Sequence, residues 1–404
     1  MPTPAHTNRP HAHAWAELLR LPALFTVPGD ALAGAAAASA RPTSRTLLAI
    51  ASSLCLYEAG MALNDWADRD VDAVERPHRP LPSGRIHPAA AFGAACALTG
   101  AGLTLAACAG RPALTVAVPL AATVWAYDLA LKDTPAGPFA MATARGLDLL
   151  LGAAATAGAD VGGWGSAVDG GAWRSGAGGV RRKGGARRSW ATAVADEPRS
   201  ALSAAAVPGV AHRIRRALPS AALLGTHILA VTTVSRRETQ GGSSLAPFAA
   251  LAATAALTRT VTRQGPLSSD RVEKSRRGTG SRHLAHLADL AAAAVSRLPR
   301  PLRQAGDHIP QMGLGPEPLD RHAALRLALA AAYASTAARP YLHATLNPSP
   351  PLTQRAVTAG IRATIPLQAA LAARSGTKGA TVTALLTTAL APLAGRFARK
   401  VSVT

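Results

Sequence analysis

Asn64-Asp65-Trp66-Ala67-Asp68-Arg69-Asp70-Val71-Asp72 closes a long apolar run and is followed by Glu75-Arg76-Pro77-His78-Arg79-Pro80-Leu81-Pro82-Ser83-Gly84-Arg85. At 3.6 residues per turn, Asp65, Asp68 and Asp72 fall at i, i+3 and i+7 and share one helix face, with Asn64 at its edge and Asp70 turned away. Carboxylates crowded on one face repel each other unless a cation sits among them. Mg²⁺ suits such a place, because it takes a few carboxylates together with substrate phosphate oxygens. Arg76, Arg79 and Arg85 can meet the same phosphates as planar forks. The plainer reading is an acidic helix end facing water. It loses weight because the segment before it is apolar enough to span a bilayer and the basic loop follows at once.

The pattern Asn64-Asp65-x-x-Asp68-x-x-x-Asp72, with its Glu-Arg-Pro-x-Arg-Pro-Leu-Pro-Ser-Gly tail, resembles the first aspartate-rich motif of the UbiA superfamily of intramembrane prenyltransferases. The resemblance implies that Asp65, Asp68 and Asp72 hold Mg²⁺. It implies an isoprenyl diphosphate as donor, held near Asn64, Arg76 and Arg79, and a small aromatic or other acceptor. Tyr127-Asp128-Leu129-Ala130-Leu131-Lys132 resembles the Tyr-x-x-x-x-Lys stretch after the family's fourth span, which makes Lys132 a diphosphate contact. A lysine snorkelling from a helix end is the alternative. Where the family carries a second aspartate-rich motif, this chain has Ser235-Arg236-Arg237-Glu238. His227 and Glu238 are eleven residues apart, close to three turns, so both lie on one face if the helix continues. Arg236 then binds the diphosphate, supplying positive charge in place of a second metal. This degenerate motif puts the metal count, and even activity, in question.

The rest of the chain supports a membrane reading. Of 404 residues, 49% are hydrophobic and only 16% charged, and the apolar mass of Ala, Leu, Val and Gly arrives in blocks. Small residues suit helices packed closely inside a bilayer. The net charge of +21 sits in polar stretches between these blocks without interleaved aromatics, which argues against nucleic acid and for loops beside lipid headgroups. Cys55, Cys96 and Cys108 lie within apolar runs and form neither a disulfide framework nor a metal motif.

These blocks predict an all-α integral membrane protein of nine or ten spans around a central chamber. The spans fall at 15–40, 46–64, 88–110, 112–131, 138–158, 217–234, 245–258, 322–338 and 355–374, with a tenth at 380–395. A cleaved signal peptide competes for the first run, but Pro22, Pro28, Gly29 and Asp30 interrupt it. Residues 1–14 read as a disordered tail, and 15–404 as one domain broken by basic, low-order insertions at 161–216 and 259–320. Within the spans, Glu58 lies seven residues before Asp65 on the same face. It reads as an acceptor-binding or proton-handling group, or as a carboxyl bonded to a neighbouring helix. Tyr127, His227 and Glu238 share the acceptor assignment. Arg145 and Asp148, at i and i+3, are spaced for an intrahelical ion pair. With a cytoplasmic N-terminus, alternation brings 64–72, 127–132 and 235–238 to the cytoplasmic face of the plasma membrane. The same alternation puts the basic insertions outside, against the positive-inside preference for short loops. A non-catalytic member of the fold that binds or moves an isoprenoid is the alternative function. The Asp-Gly…Ala-Arg pattern of CDP-alcohol phosphotransferases is not found at 64–85.

Overall fold

The computed structural model describes residues 8–20, 26–157, 208–236, 243–263, 321–377 and 379–389, and among these every regular element is helical. In chain order they are α1 (Asn8–Leu18), α2 (Val27–Ala37), α3 (Ser44–Ala67), α4 (Arg69–Glu75), α5 (Pro88–Ala109), α6 (Arg111–Ala126), α7 (Gly137–Ala157), α8 (Pro208–Ser235), α9 (Leu245–Thr262), α10 (Arg321–Leu346), α11 (Pro350–Ala373) and α12 (Gly379–Ala389). Six are long and apolar enough to cross a membrane: α3, α5, α6 with its continuation to Leu131, α8 from Gly209, α9 and α11. The count of nine spans is therefore not reproduced by this measure among the described residues. The expected first span is two short helices. Asn8–Leu18 is helical where a disordered tail is expected, and Arg20, just beyond it, takes a left-handed backbone (φ 47°). Residues 208–216 and 259–262, expected in low-order insertions, are the first turns of α8 and the last of α9. The rest of the insertions lies outside the described residues, as does the amphipathic helix expected at 283–297. Pro340 does not start a loop: α10 runs through it to Leu346, and Pro350 and Pro351 open α11, where a missing N–H costs nothing.

The helices pack through small residues, as they must where lipid offers no hydrophobic drive for association. α7 sits at the centre and touches α2, α3, α6 and α8, while α3 lies along α5 and α10 along α11. A Cβ on Gly152 of α7 would stand 2.6 Å from the Ala31 carbonyl carbon of α2, and one on Gly34 of α2 would stand 2.9 Å from Ala153 N. Glycine is required at both positions by this close approach. In α11, 72% of the most apolar window is buried, against 22% in α5 and α6, so α11 is interior and the other two face lipid. Leu47, Val118, Leu129, Phe139, Phe248 and Ile361 are exposed, as expected of lipid-facing positions.

Three apolar clusters result. One joins α2 and α7 to the second half of the chain, one lies among α3, α5, α6 and α7, and one packs α1 and the 76–86 loop onto α3 and α5. In the third, Trp66 packs at a tilt against Phe92 (4.8 Å) and Phe92 meets Trp125 edge-on (6.0 Å), with Trp15 nearby. Aromatic groupings of this kind settle at the headgroup level and set the depth of that end of the bundle. Every acidic residue among the described ones falls between Glu17 and Asp148. The described part of 208–389 contains none.

Candidate active site

α3 ends formally at Ala67, but Asp68 N bonds Asn64 O and Asp72 N bonds Asp68 O, so the helical ladder continues into α4 with a slight break. The three aspartates therefore keep the shared face read from their spacing. Each meets a cation of the chain. Arg20 donates to Asp65 Oδ1 at 3.1 Å, Arg79 to Asp72 Oδ2 at 2.6 Å, and Lys132 to Asp68. Arg79 also lies 3.5 Å from Asp65, and Arg76 lies 3.5 Å from Asp72. Asp65 and Asp72 are buried, so these pairs are far less screened than surface ion pairs. Asp70 is exposed and meets only Arg69.

The loop that delivers Arg79 is held at both edges. Leu81 and Ile86 are buried against α1 and α3, and Gly84 takes φ +72° in the turn between them. Arg85, expected to meet phosphate, instead grips Glu17 of α1 with two bonds (2.7 and 3.2 Å) and the His78 carbonyl (2.6 Å). Across the mouth, α6 widens into a π-helix at Tyr127–Leu131, where Lys132 N bonds Tyr127 O at 2.9 Å. Such bulges recur at functional sites because they re-aim side chains. This one sets Lys132 on Asp68 and buries Asp128, whose Oδ1 accepts from Asn64 Nδ2 at 3.3 Å.

Beneath the aspartates lies a cavity of about 270 Å³. Arg20, Asn64, Tyr127 and Asp128 line its mouth, and Met61, Leu120, Val124 and Met141 contribute apolar wall. Ser53, Arg145 and Asp148 line its inner end. Arg145 does not close on Asp148 along its own helix as its spacing suggests. It crosses to Asp30 of α2, Nη2 to Oδ2, at 2.9 Å.

Other expected residues lie elsewhere. Glu58 is buried and neither of its oxygens has a hydrogen-bond partner among the described residues, but it is not part of the cavity wall. His227 is a packing residue of the second half rather than a neighbour of the aspartates. Its Nε2 donates to Gly360 O at 3.0 Å, so Nδ1 accepts from the Tyr333 hydroxyl at 3.1 Å. Arg236 reaches the right end of the bundle but turns to the backbone carbonyls of Asp133 (3.2 Å) and Thr134, steadying the loop after Lys132. Glu238 lies outside the described residues. Sequence reasoning missed Arg20, Asp128, Asp30 and Ser53 as site residues. Asp128 stands inside the motif that singles out Lys132, and Asp30 is an unexplained acid in an apolar run, so both carried a signal. The described residues hold no group of three His, Cys, Asp or Glu side chains already arranged to hold a metal.

The UbiA prenyltransferase family matches residues 23–173, the stretch that carries nearly all of this geometry. The match covers less than half of the chain. Digeranylgeranylglyceryl phosphate synthase of Methanothrix thermoacetophila is 37% identical to the chain over 107 residues, which is 26% of this chain and 40% of that protein. The synthase of the same name from Methanopyrus kandleri is 36% identical over 129 residues, 30% of this chain and 45% of that protein. The chloroplastic chlorophyll synthase of Oryza sativa subsp. japonica is 45% identical over 58 residues, 14% of this chain and 15% of that protein. The chain thus spans less than half the length of each of these relatives. Among solved structures, the apo form of a UbiA homolog from Aeropyrum pernix K1 aligns with a TM-score of 0.49 at 16% identity, covering 86% of this chain and 96% of that one. The matched segment takes in α2 through α7 and therefore includes the aspartate face, the basic loop, the π-turn and all of the cavity lining but Arg20.

Proposed function

We propose that the chain is a membrane prenyltransferase that moves an isoprenyl group from a prenyl diphosphate to a small acceptor, with Mg²⁺ as its metal. The observation that carries this reading is one rim on which Asp65, Asp68 and Asp72 meet Arg20, Arg79 and Lys132, directly above a cavity with apolar walls.

The donor set fits the metal. All the rim ligands are oxygens, the choice of a hard cation, and Mg²⁺ is bound by one or two carboxylates plus substrate phosphates rather than by a ready-made protein cage. Asp65, Asp68 and Asp72 would hold it. When bound, Mg²⁺ supplies neutralisation of charge at the leaving diphosphate. Arg20, Arg76, Arg79 and Lys132 exchange carboxylate partners for phosphate oxygens as the donor enters, which keeps every buried charge paired. Positive groups fixed in advance beside the leaving oxygen favour its departure, often the largest part of catalysis. The apolar wall of Met61, Leu120, Val124 and Met141 keeps water from the allylic cation until the acceptor attacks it. Arg236, through the Asp133 and Thr134 carbonyls, holds Lys132 in register.

The test is release of diphosphate from radiolabelled prenyl diphosphates by purified protein with Mg²⁺. Release that requires both Mg²⁺ and Asp68 supports the reading. Tight binding without release in any donor would favour the non-catalytic carrier, a reading suggested by rim acids already matched by the chain's own cations.

The mouth is proposed to open to the cytoplasm from the plasma membrane, the side on which a water-soluble diphosphate donor is made. Arg41, Arg111 and Arg374, at the opposite end of the bundle, weigh the other way under the positive-inside preference. Cys108, exposed one residue before the end of α5 at that far end, decides the matter. An impermeant thiol reagent should label it from outside intact cells, and labelling only after lysis would reverse the orientation.

A further inference from the structure

At the inner end of the cavity lies a polar cluster that the donor chemistry leaves unused. Ser53 Oγ donates to Asp148 Oδ1, and both side chains line the wall. Arg145 lines it too and is paired with Asp30. Gln368 Nε2 of α11 donates to Asp30 Oδ1 at 2.6 Å and to Thr26 O at 2.7 Å. Asp30 is 0% exposed and Asp148 5%. Arg145 Nε and Gln368 Oε1 are buried with no hydrogen-bond partner among the described residues.

The depth of this cluster separates it from the donor rim. Ser53 and Asn64 both line the cavity from α3, eleven residues apart, which is about 16 Å along the helix axis. The cavity is therefore polar at both ends and apolar between them. An isoprenyl tail pressed against the inner end would leave buried charge facing hydrocarbon, an arrangement that costs several kcal/mol in other settings. A ligand with a polar end would not.

The charge of the cluster limits what that end can be. The one guanidinium is already paired with Asp30, and a second carboxyl, Asp148, lines the wall with it. A carboxylate or phosphate arriving there would be a third acid around a single cation, and like charges at this range disfavour each other strongly. A hydroxyl instead finds a carboxyl whose two oxygens offer about four lone-pair positions, not all of them used by Ser53. The cavity, about 270 Å³ against about 30 Å³ for a water in the liquid, holds a ligand the size of a single substituted ring.

We infer that Ser53, Arg145 and Asp148, backed by Asp30 and Gln368, form an anchoring subsite for the far end of the acceptor. The subsite selects a neutral, hydrogen-bond-donating group such as a hydroxyl over an anionic one, and Asp148 sets that preference. The inference rests on the prenyl-transfer reading only for calling the ligand an acceptor.

Calorimetric titration of the purified full chain with 4-hydroxybenzyl alcohol and with 4-hydroxybenzoate tests it, because the two probes differ in the charge of one end. The wild-type chain should bind the alcohol about tenfold more tightly or better, the worth of a hydrogen bond to a charged group. Asp148→Asn, nearly identical in shape, should erase or invert that ratio. Met141→Trp, which fills the cavity from another wall, should abolish binding of the alcohol. The inference is overturned if the benzoate binds more tightly, if neither probe binds at millimolar concentration, if Asp148→Asn leaves the ratio unchanged, or if Met141→Trp still binds the alcohol. Diphosphate release from geranyl diphosphate is measured on the same preparation. Its absence in the wild-type chain removes the prenyl-transfer reading and leaves the end-group preference standing, while release without any preference removes the subsite alone.

Discussion

Gly152→Ala tests the centre of the bundle without reference to any substrate. The new Cβ would stand 2.6 Å from the Ala31 carbonyl carbon and nearer still to its oxygen. Ordinary contact begins at 3.4 Å, so α2 and α7 must part by more than about 0.8 Å at the crossing, and backbone on both sides leaves no flexible side chain to yield. Overpacking of this kind costs about 1–3 kcal/mol. The displacement adds to that, because α2 carries Asp30 and α7 carries Arg145, whose 2.9 Å pair would lengthen past good hydrogen-bond range. A total of about 3 kcal/mol is expected, at the upper end of single-substitution effects. Thermal unfolding in detergent, followed by tryptophan emission, reads this directly. Gly93→Ala and Gly100→Ala are the controls. A Cβ at either of these α5 positions meets nothing within 4 Å, and alanine should be neutral or stabilising by up to about 1 kcal/mol. If Gly152→Ala unfolds at the wild-type temperature, the α2–α7 crossing described above is wrong.

Asp68→Asn and Lys132→Met should each lower Mg²⁺-dependent diphosphate release at least about a hundredfold, the scale of losing one fixed charge from a leaving-group site, with no loss of folding. Full turnover in either variant would remove that residue from the reaction. Arg236→Ala, which frees the Asp133 and Thr134 carbonyls, should reduce kcat through Lys132, so the Lys132→Met variant gains no further defect from it; independent, multiplying losses would contradict the positioning role. His227→Phe should cost about 3 kcal/mol, because the Gly360 carbonyl and Tyr333 hydroxyl lose a buried partner. Loss of turnover in a His227→Phe protein of unchanged stability would restore histidine to the chemistry.

The aspartate face was legible because its residues are consecutive in the chain: helical spacing alone puts Asp65, Asp68 and Asp72 together, and the hydrogen-bond ladder runs from α3 through Asp68 into α4. Lys132 was legible through its motif. What its spacing could not reveal is the π-turn that aims it, since a widened turn is decided by packing around α6 and not by a five-residue composition. Arg20 pairs with a residue 45 positions away, and Gln368 with one 338 away. Contacts of that separation depend on how helices are arranged, which hydrophobic periodicity leaves open. The Arg145–Asp148 expectation fails for the same reason: i, i+3 spacing permits a pair, and a buried carboxyl on α2 competes for the guanidinium and wins. Pro340 misled in the opposite sense, because a proline inside an apolar helix is tolerated where neighbouring helices supply support.

Confinement of the described acids to the stretch ending at Asp148 has a consequence for biogenesis. An aspartate entering the bilayer centre alone costs about 3 kcal/mol on insertion scales. Arg145 leaves the ribosome 115 residues after Asp30, a delay on the order of ten seconds at usual synthesis rates. α2, only eleven residues and too short to cross, can spend that interval in the headgroup region and sink beside α7 once its counter-charge arrives. The helices translated afterwards bring no described carboxylate with them and can insert as they emerge.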